Sequence, residues 1–267
     1  MTNATTRPAG MRTIQLGELK VSYVPDGVVQ LPGLSWLPAT TEEFWTDHPE
    51  YLDEGGNLVA SIGGLLVEHR GRALLIDAGV GPVFYPAEPG NAHGAIRGGD
   101  LLDNLAKLGR SPEQIEAVAI THLHLDHTGW LLHDARPFRG AEVLLTGPEW
   151  AADGNPELAP QVRTVADGEE IFPGVRASLV PGHTPGHAAY VLSSGGGRLI
   201  AFGDALHSPV QVPHPELSAA PDHDPAESAV FRRRLVGELA APDTLGFGVH
   251  FADVQFGHVV DGAWNPA

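Results

Sequence analysis

Leu19, Val21 and Tyr23 alternate with polar partners, the period-two pattern of a strand with one buried face, and this predicts a strand over residues 19–24. Two longer apolar runs, 58–69 and 73–77, flank Gly71 and predict a hairpin. Residues 31–51 break the pattern with Pro32, Pro38 and Pro49 and read as an irregular loop. Its large apolar side chains, Leu34, Trp36, Leu37, Phe44 and Trp45, are expected to pack beneath that loop, with a pocket lip or a homodimer contact as the alternatives. Leucines at 101, 102, 105 and 108 have helical spacing, closed by Gly109. Ser111 to Gln114 form a capping box with Pro112 at the first helical position, so a short helical turn should lead into a strand over 117–121. Further strands are expected at 142–146, 175–180, 188–192 and 199–202. A long helix is expected over 225–240, started by Asp224 with Pro225 and Glu227 behind it. No repeat and no low-complexity linker divides the chain, so one domain is expected over 1–267, with residues 1–12 a flexible tail. The order of elements predicts an α/β (α+β) sandwich of two mixed β-sheets flanked by helices.

The chain has 267 residues, 42% of them hydrophobic, enough to build a core. It has no Cys, which removes disulfides, thiolate ligands and a cysteine nucleophile together, so any metal must be held by imidazole and carboxylate. The net charge is −17, and the one dense basic run is Arg232 to Arg234, which is expected on a solvated helix face. Such a charge opposes a nucleic-acid partner. The first residues lack an apolar leader segment, and the most apolar stretch, 58–67, falls short of the ~18 residues a membrane span needs. A cytoplasmic protein acting on a small molecule, with neither membrane nor nucleic acid as partner, is the expectation.

The segment THLHLDHTG places His122, His124, Asp126 and His127 directly after an expected strand. If that strand continues briefly, His122 and His124 project to one side. The turn ending at Gly129 then brings Asp126 and His127 round to a second point, which suits two adjacent cation sites. His183 in PGHTPGH, Asp204 in FGDALH and His250 in FGVHF stand at later strand-to-loop junctions, where binding groups are commonly placed. A cluster of His and Asp at such positions reads as a metal hydrolase site. His187 is expected to support a ligand by hydrogen bonding, and His258 is a weaker candidate for the same role. Asp222 and His223 are expected on a solvated loop.

The succession HxHxDH, GHTPGH, GD and a late His resembles the metallo-β-lactamase superfamily over nearly the whole chain. The segments GELKVSYVPDG, LLIDAG, SPEQIEAVAITHLHLDHTG, GDALHSPVQ and VHFADVQFGHV are most similar to its branch of methyl parathion hydrolase and N-acyl-homoserine lactonases. The resemblance implies an αββα fold and a dinuclear centre, with His122, His124 and His183 on one metal, Asp126, His127 and His250 on the other, and Asp204 bridging. Zn is the default for both ions, and Mn, Fe or Co are compatible with the same N/O ligands.

Two cations ~3.5–4 Å apart hold a bridging water and lower its pKa toward ~7, which gives a hydroxide nucleophile at neutral pH. Asp126 accepts a hydrogen bond from it and aims it. The expected reaction is hydrolysis of an ester-like bond: a lactone, a carboxylic ester or a phosphotriester. A thioester, as in glyoxalase II, and a catalytically silent metal-binding sensor are the alternatives. His207 stands where the lactonases this chain resembles carry a Tyr that contacts substrate, and it is expected to donate to a developing oxyanion or leaving group.

Overall fold

The computed structural model describes residues 3–267. The first sheet is formed by β1 (Arg12–Leu16), β2 (Leu19–Pro32), β3 (Asn57–His69), β4 (Arg72–Ile76), β5 (Phe84–Tyr85), β6 (Ile96–Arg97), β7 (Ala117–Ala119), β8 (Glu142–Thr146) and β9 (Val162–Val165). Its spatial order is β5-β6-β2-β3-β4-β7-β8-β9 with β1 on β2, parallel from β4 to β9 and antiparallel elsewhere. The second sheet runs in chain order through β10 (Glu170–Phe172), β11 (Val175–Leu179), β12 (Ala188–Ser194), β13 (Gly197–Ala201), β14 (Thr244–Phe247), β15 (Phe256–Val260) and β16 (Ala263–Pro266). Its one parallel pair is β13 with β14. The helices are α1 (Gly33–Trp36), α2 (Glu42–Asp47), α3 (Leu101–Lys107), α4 (Leu125–Leu132), α5 (Gly147–Asp153) and α6 (Pro225–Leu239).

Alternation along the strands assembles these layers. Leu65, Val67, Leu74, Ile76 and Leu144 of the first sheet meet Ala177, Tyr190, Leu199 and Phe247 of the second in one buried core between the sheets. The intervening residues Leu66, Leu75, Val118 and Val143 turn outward and are covered by Leu101 and Leu105 of α3 and by Trp130 and Leu131 of α4. On the opposite side, Ile200 and Phe202 are covered by Leu235 and Leu239 of α6. Both sheets need both faces buried, so the order helix, sheet, sheet, helix follows.

Three expectations require correction. Residues 3–12 do not form a free tail: Asn3 and Thr5 donate to the Glu50 carbonyl, Arg7 pairs with Asp253, Ala9 N donates to Ser61, and Arg12 begins a strand on β2. Residues 1–2 lie outside the described residues. The irregular segment at 31–51 contains α1 and α2, with Thr41 capping the second through Phe44 N. The turn expected after His124 is the helix α4, with Asp126 and His127 in its first turn.

Asp26 holds this architecture at the point where β2 bulges between Pro25 and Gly27. Its buried carboxylate accepts from five N–H groups: Gly99, Leu101 and the Trp130 indole on Oδ1, Val80 and Gly81 on Oδ2. One side chain thus ties the loop after β4, the start of α3 and the helix α4 to the first sheet. Only a group with acceptors alone satisfies five donors. Asp26→Asn places an NH2 against donors and is expected to lower the unfolding free energy by about 2–4 kcal/mol, measured by urea denaturation. A change below ~0.5 kcal/mol, the range of an ordinary surface substitution, would contradict this.

Candidate metal centre

The loops that leave β7, β11, β13 and β14 converge at one end of the sandwich. His122 and His124 follow β7, His183 follows β11, Asp204 lies in a short 3-10 turn after β13, and His250 follows β14. All seven donor residues expected from the sequence, together with His207, meet there. Donor atoms of His122, His124, His183 and Asp204 lie within 4.8 Å of one another, and so do those of Asp126, His127 and His250. Asp204 joins the two groups. Its Oδ2 is 3.7 Å from His122 Nε2 and 3.4 Å from His183 Nε2, while its Oδ1 is 3.2 Å from His127 Nε2 and 3.1 Å from His250 Nε2. Asp126 Oδ2 completes the second group at 3.5 Å from His250 Nε2 and 3.8 Å from His127 Nε2. Tetrahedral ligands ~2.0–2.1 Å from a cation stand about 3.4 Å apart, so these spacings suit a shared ion.

The buried polar atoms give the same result. His127 Nε2, Asp204 Oδ1 and both ring nitrogens of His207 are buried and have no hydrogen-bond partner among the described residues. An unmet polar atom costs about 1–3 kcal/mol, and His127 Nε2 and Asp204 Oδ1, 3.2 Å apart, are placed as two ligands of one cation would be. Burial pushes the Asp204 carboxyl up, yet the imidazoles of His250, His127 and His207 outweigh it and hold the group well below the usual carboxylate range. Burial drives His122 well below the ordinary imidazole range, which leaves it neutral as a ligand must be.

Hydrogen bonds behind the donors fix which nitrogen faces inward. His127 Nδ1 bonds to Asp77 Oδ2 at 2.9 Å, His183 Nδ1 to Asp222 Oδ1 at 2.8 Å, and His250 Nδ1 to the Ser61 carbonyl at 2.8 Å, so each turns its Nε2 to the centre. Asp77 also accepts from Thr121 N and Oγ1, and Thr121 Oγ1 lies 3.1 Å from His122 Nδ1. His187, as expected, supports a donor: its Nε2 accepts from Asp204 N at 3.0 Å while its Nδ1 bonds the Val180 carbonyl. Gly203, at φ +51°, lets the turn pass His187, because a Cβ there would stand 2.7 Å from His187 Nε2. His258 instead bonds the Thr244 carbonyl, between β15 and β14 of the second sheet.

Asp222 and Arg232 depart from the sequence reading. Asp222 is not on a solvated loop, and Arg232 is not on a solvated face: Arg232 is fully buried, while Arg233 and Arg234 are exposed. The guanidinium bonds Asp222 Oδ2 at 3.1 Å, the Pro215 carbonyl and Ser218. Burial pushes the Asp222 carboxyl up, but the His183 bond and the charges of His207, His183 and Arg232 hold it down to about 2.

Above the donors lies a cavity of about 370 Å³. Its walls are Val29, Leu31, Trp36, Val80, Ala92 and Ile96, and Asp126, Asp204, His207 and His250 line its base. The 31–51 segment therefore serves twice: Leu37 and Trp45 are buried against Leu58 and Val210, while Leu31 and Trp36 form cavity wall.

Fold and donor set together define a two-sheet αββα protein with a His/Asp centre for divalent metal. The Metallo-beta-lactamase superfamily model matches residues 64–244, and the chain belongs to that superfamily. A hydroxyacylglutathione hydrolase of Methylobacillus flagellatus is 31% identical over 148 residues, 53% of this chain and 46% of the relative. An N-acyl homoserine lactonase of a Bacillus species is 26% identical over 102 residues, 35% of this chain and 39% of the relative. The aligned regions thus span less than half the length of these curated relatives. Among solved structures, AidC, a dizinc quorum-quenching lactonase with a bound product, superposes with a TM-score of 0.83 at 23% identity over 97% of this chain and 98% of its own. The hydrolase AbOPH gives 0.80 at 24% identity over 98% of both chains. At those identities the two structures show a shared fold. Among the described residues, no helix is long and apolar enough to cross a membrane.

Replacing Arg232 by Met leaves the buried Asp222 carboxylate without its counter-charge and loosens its hold on His183. The variant is expected to lose about 3–5 kcal/mol of stability to the uncompensated charge and ~10–100-fold in metal affinity. Thermal unfolding and chelator competition measure the two effects, and wild-type values for both would contradict the positioning role of the Arg232–Asp222–His183 chain.

Proposed function

We propose that this chain is a dinuclear metal-dependent hydrolase that cleaves an ester-like bond in a neutral, largely apolar small molecule: a lactone, a carboxylic ester or a phosphotriester. The observation that carries this is Asp204, whose two oxygens face two separate donor groups at the base of an apolar cavity. We assign His122, His124 and His183 to one ion, Asp126, His127 and His250 to the other, and Asp204 to both. Zn is the first choice, and Mn, Fe or Co suit the same ligands. When bound, such ions supply Lewis acidity and an activated water.

The chain's own residues do the rest. Asp126 joins the cluster, keeps 26% of its side chain exposed and lines the cavity, so its carboxylate accepts a hydrogen bond from the attacking water and orients it. His207 faces the same space with Nε2 3.2 Å from Asp204 Oδ2 and packs its ring parallel to His250 at 5.8 Å and against Trp36 at 5.1 Å. A ring so held, with no hydrogen-bond partner, donates to a substrate oxygen as negative charge develops. The apolar walls exclude water and hold the substituent next to the scissile bond.

The hydroxyacylglutathione hydrolase relatives support a second reading, a thioester hydrolase. Glutathione carries carboxylates, and among the described residues no Lys or Arg lines the cavity, so the neutral ester is the better fit. A cytoplasmic setting belongs with this proposal.

With zinc-loaded protein, neutral lactones, aryl esters or phosphotriesters are expected to turn over faster than anionic thioesters, and chelator should abolish the rate. A preference for the thioester would select the second reading, and no turnover of any of them would leave a metal-binding sensor. His207→Ala is expected to keep its metal while kcat on the best ester falls ~10–100-fold. Unchanged kcat with metal retained would remove His207 from the reaction.

A further inference from the structure

One buried carboxylate stands behind three of the seven donors without belonging to the set. Glu149, in the first turn of α5, is 1% exposed. Its Oε1 accepts from Leu123 N at 2.8 Å, the peptide between His122 and His124. Its Oε2 accepts from Thr184 Oγ1 at 2.6 Å, directly after His183, and from Gly186 N at 3.1 Å. Thr146, the N-cap of α5, reinforces the junction, since its hydroxyl accepts from Glu149 N and donates to the Gly186 carbonyl at 2.5 Å. The approach is so close that a Cβ at Gly186 would stand 1.9 Å from Glu149 N. This accounts for Thr184 and Gly186 in the segment GHTPGH, which the metal ligands alone leave unexplained.

Three donors converge on two oxygens that carry no hydrogen of their own. A carboxylate satisfies all three, whereas an amide meets Leu123 N with its oxygen and turns its NH2 against Gly186 N–H. The loops joined in this way bear His122, His124 and His183, three of the four donors in one group. In the second group, His127 and His250 are braced by other residues, Asp77 and the Ser61 carbonyl.

We infer that Glu149 is a positioning residue for one half of the centre: it sets the separation of the His122–His124 loop from the His183 loop, and so governs the affinity of the ion bound by His122, His124, His183 and Asp204 without governing the other. The inference rests on the dinuclear reading above.

The test titrates zinc with a chromophoric chelator in the wild-type chain and in Glu149→Gln, resolves the dissociation constants, and follows thermal unfolding of the metal-free proteins. Two constants are expected in the wild type. In Glu149→Gln one should weaken ~10–100-fold and the other change less than ~3-fold, and excess zinc should restore most of kcat with KM little altered. If Glu149→Gln fails to fold, Thr184→Val removes a single donor at nearly constant shape and should weaken the same constant ~3–10-fold. Two wild-type constants that are both unshifted in the variant, or both weakened equally with a parallel fall in metal-free stability, would overturn the inference alone. A wild-type chain that binds fewer than two ions would overturn the dinuclear reading and the inference with it.

Discussion

The structure depends on one electrostatic constraint: Asp204, 4% exposed, must remain ionised among imidazoles at the base of an apolar cavity. An isolated buried carboxylate would neutralise itself by taking a proton, because removing its charge from water costs several kcal/mol. Here His122 and His183 face one oxygen while His127 and His250 face the other. The arrangement is tolerable only if the ring nitrogens are held rigidly and something positive is shared among them. Each requirement shapes a different part of the fold.

Rigidity comes from carboxylates one step further out. Asp77 holds His127 and Thr121, Asp222 holds His183 and is itself held by the buried Arg232, and Glu149 joins the two loops that carry His122, His124 and His183. Asp26, farther still, fixes α4 through the Trp130 indole and fixes the loop after β4 through Val80 and Gly81. Several acidic residues are thereby spent inside the molecule, so the net charge of −17 is not a surface property alone. Among the described residues no Lys or Arg lines the cavity, which leaves the counter-charge for Asp204 to the imidazoles and to a bound cation.

The layers were legible where local pattern and burial agree. Leu19, Val21 and Tyr23, and likewise Leu74 and Ile76, point to the core between the sheets, as alternation requires. Pattern failed where polar or small residues fill an element for reasons outside it. The strand expected over 19–24 runs on through Pro25, Asp26 and Gly27 to residue 32, bulging where the Asp26 carboxylate accepts from Val80 N. The α4 helix contains His127, Thr128 and Gly129, poor helix formers that are kept because the Trp130 and Leu131 side chains and the donor positions require that path. His122, His124, Asp126 and His127 were readable as a group because their side-chain chemistry and spacing are unusual within one short segment, and His183, Asp204 and His250 because each stands at a strand-to-loop junction. Their supports were not, since Asp26 meets Trp130 across 104 residues and Asp77 meets His127 across 50, and nothing local marks such a partner. Arg232 was hidden in plain composition, one of three adjacent arginines of which it alone turns inward.

Metal analysis combined with anomalous diffraction from zinc-reconstituted crystals tests the central claim most directly. The account predicts two anomalous peaks per chain, ~3.5–4 Å apart, with one Asp204 oxygen directed at each. A single peak, or two peaks with Asp204 ligating neither, would contradict it.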